Sequence, residues 1–210
     1  MKKCDLQKKP GISCTVNSPY IVRDVDLLFD EDGKRLETKS VMSLCRCGES
    51  EKKPYCDNSH TKKGMNMVKS PDRCPDKNKD YRGKDITVHF NLGVCSHNGI
   101  CLTLKPVFKK GRRPWIMPDL GKKEEIIDII RKCPSGALSY TIDGVRYQDF
   151  DREPAIKIDK CGPFMIEGYI EFKDDQNSCP ESKEHYCLCR CGKSKNHPFC
   201  DGEHLDKKLF

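Results

Sequence analysis

The sequence predicts a soluble α+β protein built from three small units, each nucleated by clustered cysteines rather than by one large apolar core. Three observations predict it. First, hydrophobic residues make up 36% of the 210 positions and charged residues 34%, a thin supply for a single core of that size. Second, fifteen residues are cysteine. Third, one cysteine and histidine pattern, C-x-C-x8-C-x3-H, occurs twice, as Cys45, Cys47, Cys56, His60 and as Cys189, Cys191, Cys200, His204.

Cysteine-dense chains divide by compartment into disulfide scaffolds and metal-bound thiolates. The start, Met1-Lys-Lys-Cys-Asp-Leu-Gln-Lys-Lys-Pro10, has no apolar run after its charges and does not read as a signal peptide. No stretch reaches the roughly 18–20 apolar residues that span a bilayer. The expectation is therefore a cytoplasmic protein, with no membrane partner and with thiolates on metal.

A shift of 144 residues superimposes the two ends without a gap. Pro10, Ile12 and Pro19 fall on Pro154, Ile156 and Pro163, and Leu44–Gly48 falls on Leu188–Gly192. One structural unit used twice is the reading. Pro19–Phe29 and Pro163–Phe172 read as strands, Asp30–Gly33 and Asp174–Asn177 as turns. A short strand ends at Leu44 or Leu188 and delivers C-x-C. A short helix near Asp57 or Asp201 places the third cysteine and the histidine, at i and i+4, on one face.

Between the repeats the pattern changes. Lys84–Asn91 alternates like a strand. Lys122–Lys132 is the clearest helix: Glu early, Arg and Lys late, Ile126, Ile129 and Ile130 on one face, with Asp119 as cap and Cys133-Pro134 as the stop. Ala137–Ile142 reads as a strand closed by Asp143-Gly144. The expected segments are a tail 1–9, a first unit 10–66, a linker 67–80, a middle domain 81–147, a joint 148–153 and a second unit 154–210.

Thiolate and imidazole are soft donors that suit iron–sulfur clusters or zinc. In a [2Fe–2S] site C-x-C would place two thiolates on one iron, leaving the third Cys and the His for the other. The competing reading is Cys3His zinc, although paired zinc cysteines usually stand two to four residues apart rather than one. Both copies resemble the CDGSH (NEET) family, C-x-C-x2-S/T-x3-P-x-C-D-G-S/A/T-H, and the likeness includes Ser50 and Ser194, Pro54 and Pro198, Asp57 and Asp201. The resemblance implies two [2Fe–2S] clusters, one on Cys45, Cys47, Cys56 and His60, the other on Cys189, Cys191, Cys200 and His204. It also implies that the two units pack as an intramolecular pseudo-dimer, in a monomer with an internal pseudo-two-fold. Asn58 replaces the family's Gly, and Glu203 replaces the small residue before His204. The carboxylate is expected to give the second cluster the lower potential.

The middle segment carries Cys95-Ser-His97-Asn98-Gly-Ile-Cys101 and Cys133-Pro-Ser-Gly-Ala-Leu138. Low-potential ferredoxins use C-x2-C-x2-C with a distant Cys-Pro, and here Asn98 stands where the middle cysteine would be. The segment resembles the divergent single-cluster ferredoxin-like domain that accompanies CDGSH modules. Cys95, Cys101 and Cys133 suffice for a [3Fe–4S] cluster; His97 is the first candidate to complete a [4Fe–4S] cluster, and Asn98 or solvent the next. A fold that has lost its cluster is the competing reading.

Cys4, Cys14, Cys74, Cys161, Cys179 and Cys187 match no ligand frame. His89 reads as packing, and His185 and His197 as solvated residues near the second site. The net charge of +7 invites a nucleic-acid reading, which is set aside because the lysines are scattered and each three-thiolate [2Fe–2S] centre would contribute about −1. The run Phe108–Arg113 reads as a solvated loop that could dock an acidic redox partner. No nucleophile and base pair is readable, so no enzyme activity is expected. The favoured function is electron transfer or redox sensing with redox partner proteins. The alternatives are cluster storage and transfer to apo iron–sulfur acceptors, in which protonation of His60 and His204 frees the cluster, and a zinc-bound interaction module.

Overall fold

The computed structural model describes residues 9–206. The first unit contains β1 (Gly11–Cys14), β2 (Tyr20–Arg23), β3 (Leu27–Phe29), β4 (Val41–Leu44) and the one-turn helix α1 (Ser59–Lys62). The inserted domain contains β5 (Asn78–Arg82), β6 (Thr87–Asn91), α2 (Lys123–Arg131), β7 (Leu138–Ile142) and β8 (Val145–Tyr147). The second unit repeats the first as β9 (Ala155–Ile158), β10 (Phe164–Glu167), β11 (Glu171–Asp174), β12 (Tyr186–Leu188) and α3 (Glu203–Asp206).

These strands form three four-stranded sheets, β11-β1-β2-β4, β12-β10-β9-β3 and β5-β6-β7-β8. The first two each borrow one strand from the other unit. β3 runs parallel to β9 with Leu27 opposite Ala155, and β11 runs parallel to β1 with Gly11 opposite Glu171. The two registers are one pairing carried across the 144-residue repeat. Each segment read as a single strand is in fact broken by a left-handed residue at the same point, Asp24 (φ 54°) or Gly168 (φ 81°). The break frees the second half to cross over, because a residue at positive φ cannot continue a pleated strand.

The two units consequently share one core. Ile12, Tyr20, Val22 and Leu44 pack in a single apolar cluster with Ile156, Phe164, Ile166 and Leu188. Tyr20 and Phe164 hold equivalent places in the repeat and meet edge to face, 6.2 Å between ring centres. The inserted domain has its own core, in which Ile126, Ile129 and Ile130 of α2 are buried as their spacing predicts.

Two local expectations change. Asp119 does not cap α2: Lys122 holds the cap position, where its backbone is bonded by Glu125. Asp119 lies in a 3-10 turn (Pro118–Leu120) and accepts from the Lys84 N–H at 2.7 Å. The segment read as a linker is also less detached than its composition suggests. Met67 is fully buried, the Ser70 N–H donates to the Lys195 carbonyl at 2.8 Å, and β5 already begins at Asn78. Among the described residues no helix is long and apolar enough to cross a membrane.

Candidate metal centres

In each repeat the last strand ends immediately before C-x-C, and a tight turn follows. Gly48 (φ 79°) and Gly192 (φ 72°) make that turn possible. The Cys45 and Cys47 sulfurs stand 3.6 Å apart, and those of Cys189 and Cys191 3.7 Å. On the other side of each site the cysteine sulfur faces the histidine Nδ1, at 3.4 Å for Cys56 and His60 and 3.4 Å for Cys200 and His204. Two thiolates on one tetrahedral ion lie about 3.8 Å apart, and a thiolate and an imidazole nitrogen about 3.5 Å, given metal–sulfur and metal–nitrogen bonds near 2.3 and 2.0 Å. Each site is thus two donor pairs, each with the span of one ion. Among the described residues no three His, Cys, Asp or Glu side chains are grouped to hold a single ion.

The turn that carries the second pair is held by its own polar residues. Asp57 accepts from the N–H groups of Ser59 (3.0 Å) and Glu51 (2.9 Å), and Asp201 accepts from Glu203 and Lys195 in the same way. The bonds from Ser59 and Glu51 hold the Asp57 carboxyl well below the usual carboxylate range. Ser50 and Ser194 each donate to a carbonyl just ahead of the third cysteine, at 2.7 and 2.6 Å. The residue after that Asp is left-handed, Asn58 at φ 68° and Gly202 at φ 90°, which is why Asn can stand in for Gly there.

Burial sets the electrostatics. It pushes the Cys47 thiol up to about 11 and raises Cys56 and Cys200. Within the close pair of the second site, the bond from Cys191 and the nearby His197 favour thiolate at Cys189. Burial holds His204 below its ordinary value, so the imidazole is neutral, the form that ligates. Buried thiols beside a neutral imidazole fit a cation that takes up the thiolate charge.

The inserted domain brings its three cysteines to one region. Cys133 belongs to that domain's core, Cys95 and Cys101 pack against it, and the neighbouring thiols add to burial in raising the proton affinity of Cys95 and Cys101. Burial pushes Cys95 up to about 12 and Cys101 to about 11. Cys95, His97 and Cys101 line one cavity of 560 Å³, together with Phe90, Trp115 and Leu205. Asn98 is turned away from it and donates to Asp159 at 3.0 Å.

Two stretches, 17–61 and 161–205, match the family described as iron-binding zinc finger CDGSH type, and 81–143 matches the divergent 4Fe-4S mono-cluster family. This chain belongs to the CDGSH iron–sulfur family. Its two CDGSH units flank a divergent 4Fe-4S mono-cluster domain. Over 61 residues the chain is 43% identical to a protein of Escherichia coli K12 titled "Uncharacterized protein YjdI", covering 29% of this chain and 80% of that one; the O157:H7 protein of the same title matches equally. No solved structure matches the chain.

Several residues around the CDGSH sites escaped the sequence reading. The arginine inside each C-R-C is buried and bonds backbone carbonyls around its own site, and Arg190 also reaches the first unit through an ion pair with Glu31 at 2.8 Å. Arg46 donates to the carbonyls of Thr15 (2.8 Å) and Met67 (3.1 Å), and Arg190 to those of Gly162 (2.8 Å) and Asp159 (3.3 Å). Thr15 and Asp159 are equivalent in the repeat, so C-R-C was itself the signal. Tyr20 reaches across the units: its hydroxyl lies 2.9 Å from the Cys189 carbonyl and 3.0 Å from that of Pro198. His185 and His197 are buried, not solvated. His185 lies between Ser182 and Glu184, and His197 beside Cys189. His89 is bonded by Asp80 and Thr141, both at 2.7 Å, as a strand residue.

The Ser182 hydroxyl lies 2.7 Å from Asp149 and 3.0 Å from His185, but Ser182 is fully buried and accepts from the N–H groups of Glu184 and His185. That arrangement is a turn lock. Of the unassigned cysteines, Cys74, Cys161 and Cys179 are exposed, Cys14 and Cys187 are buried, and Cys4 lies outside the described residues.

Proposed function

We propose that the chain is a one-electron carrier or redox sensor with a [2Fe–2S] cluster in each CDGSH unit and a [3Fe–4S] or [4Fe–4S] cluster in the inserted domain. Cys45, Cys47, Cys56 and His60 hold the first, Cys189, Cys191, Cys200 and His204 the second, and Cys95, Cys101 and Cys133, with His97 the candidate fourth ligand, the third. The observation that carries this reading is the repeated donor pairing, 3.6 and 3.4 Å in one unit and 3.7 and 3.4 Å in the other. Four donors in two pairs suit two irons better than one zinc.

The reciprocal strand exchange, with both registers related by the repeat, supports an intramolecular pseudo-dimer. A bound cluster supplies one-electron transfer without bond making. The chain's part is to exclude water from the thiols, keep the His204 imidazole neutral and hold the donor turns rigid through Asp57, Asp201, Arg46 and Arg190. Its partners are then other redox proteins, and no catalytic role of its own is needed.

Cluster delivery is the second reading, favoured by a 510 Å³ pocket that opens beside His60. Anaerobic reduction and reoxidation, followed by visible absorption with and without an apo-ferredoxin, separates the two. Repeated cycling with full recovery of absorption supports the carrier. Loss of absorption matched by its appearance in the acceptor supports delivery.

A further inference from the structure

The inserted domain touches the two CDGSH units unequally. Its loop 93–98 lies against the second site at four points. The Asn196 side chain donates to the Gly93 carbonyl at 2.8 Å, and the Asn98 side chain to Asp159 at 3.0 Å. The Cys187 thiol bonds the Ser96 side chain. The His97 ring occupies the space a Cβ on Gly202 would need, 2.3 Å from that position.

At the first site the equivalent positions are Lys52, Thr15, Ser43 and Asn58. Lys52, Thr15 and Asn58 are exposed. The two histidines are equally buried, so the difference lies in what covers the turn that carries each pair. Cys56 is partly exposed where Cys200 is buried, and Asn58 faces solvent where Gly202 faces His97. The pocket beside His60 is lined by Asn17, Thr61, Gly64, Met65 and Val68, none of them from the inserted domain.

We infer that the inserted domain caps the second CDGSH site and leaves the first open, so that outside molecules reach the protein's clusters at the first site while the second is an enclosed site set against the third. The inference rests on the ligand assignments proposed above. It assigns different work to two sites with the same ligands: exchange with the surroundings at Cys56 and His60, retention at Cys200 and His204. The residues that make the difference are Asn196, Cys187 and Gly202, positions at which the repeats diverge.

The test is extraction of iron by an external chelator, EDTA, from the intact holoprotein. The surviving [2Fe–2S] signal is read by EPR on aliquots reduced and frozen at intervals, which separates it from the third cluster. Two phases are expected, the slower by about tenfold or more, since opening of the joint must precede access. The variant C45S/C56S should keep only the slow phase, and C189S/C200S only the fast one. Because ligand loss could disturb folding, Asn196→Lys provides an independent arm: it installs the residue the first unit carries at that position, and should quicken the slow phase while leaving the fast one unchanged. A single phase for both sites, a fast phase that belongs to the second site, or no response to Asn196→Lys overturns the inference. Iron and sulfide analysis beforehand distinguishes that failure from absence of the clusters, which would overturn the ligand assignments as well.

Discussion

Gly192 lies directly on the backbone of Cys47: a Cβ at Gly192 would stand 2.5 Å from the Cys47 carbonyl oxygen. The relationship is reciprocal, since a Cβ at Gly48 would stand 2.8 Å from the carbonyl oxygen of Cys191. The two C-x-C-G turns therefore meet back to back, and the glycines are needed for that approach as well as for their positive φ.

Gly192→Ala should destabilise the protein by about 2 kcal/mol or more, combining left-handed strain with backbone overlap. Gly33→Ala separates the two causes, because Gly33 has φ 77° and nothing within 4 Å of its Cβ position. It should cost only about 1 kcal/mol. Denaturant midpoints of the two variants check the difference; equal losses would mean that the close approach contributes nothing.

Tyr20→Phe should cost about 1–2 kcal/mol, because it leaves the buried Cys189 carbonyl without the hydroxyl, while the Pro198 carbonyl still accepts from the Cys189 N–H at 2.8 Å. The equivalent residue is Phe164, so the ring itself is accommodated at that kind of position, and cluster content should be unchanged. Thermal unfolding with iron analysis reads both.

Glu184 links the inserted domain's exit to the second unit. Its fully buried carboxylate accepts from the N–H groups of Gly168 (3.1 Å) and Phe150 (3.4 Å) and contacts His185 at 2.8 Å. Burial alone would raise its pKa, yet the bonds from His185 and Gly168 outweigh burial and lower it. A carboxylate with a lowered folded pKa stabilises the fold above its unfolded value of 4.5, and that contribution fades as pH falls through the folded value. Glu184→Gln should therefore be less stable than the wild type at pH 7, and the gap should narrow below about pH 4.5. Unfolding curves of both proteins at pH 7, 5 and 4 check the sign.

The repeat, the donor spacing and α2 were legible because each depends on residues close in sequence. Cys56 and His60 meet across one helical turn, and Ile126, Ile129 and Ile130 share a face. The strand exchange was not read, because it turns on a positive φ at Asp24, where no glycine stands; the signal was in the other repeat, in Gly168 within the segment read as one strand. The burial of His185, stacked on Phe150 and close to Gly136, likewise depends on contacts distant in sequence, which no local pattern reports. A clue did exist in the differences between repeats. Cys187 against Ser43, Asn196 against Lys52 and Gly202 against Asn58 are the positions the insertion touches.

The most direct test of the central claim is iron and acid-labile sulfide analysis of the purified protein. The account predicts a coloured protein with about four irons and four sulfides from the two CDGSH sites, and about three or four further irons from the inserted domain. A colourless protein with zinc in place of iron and no labile sulfide would contradict it.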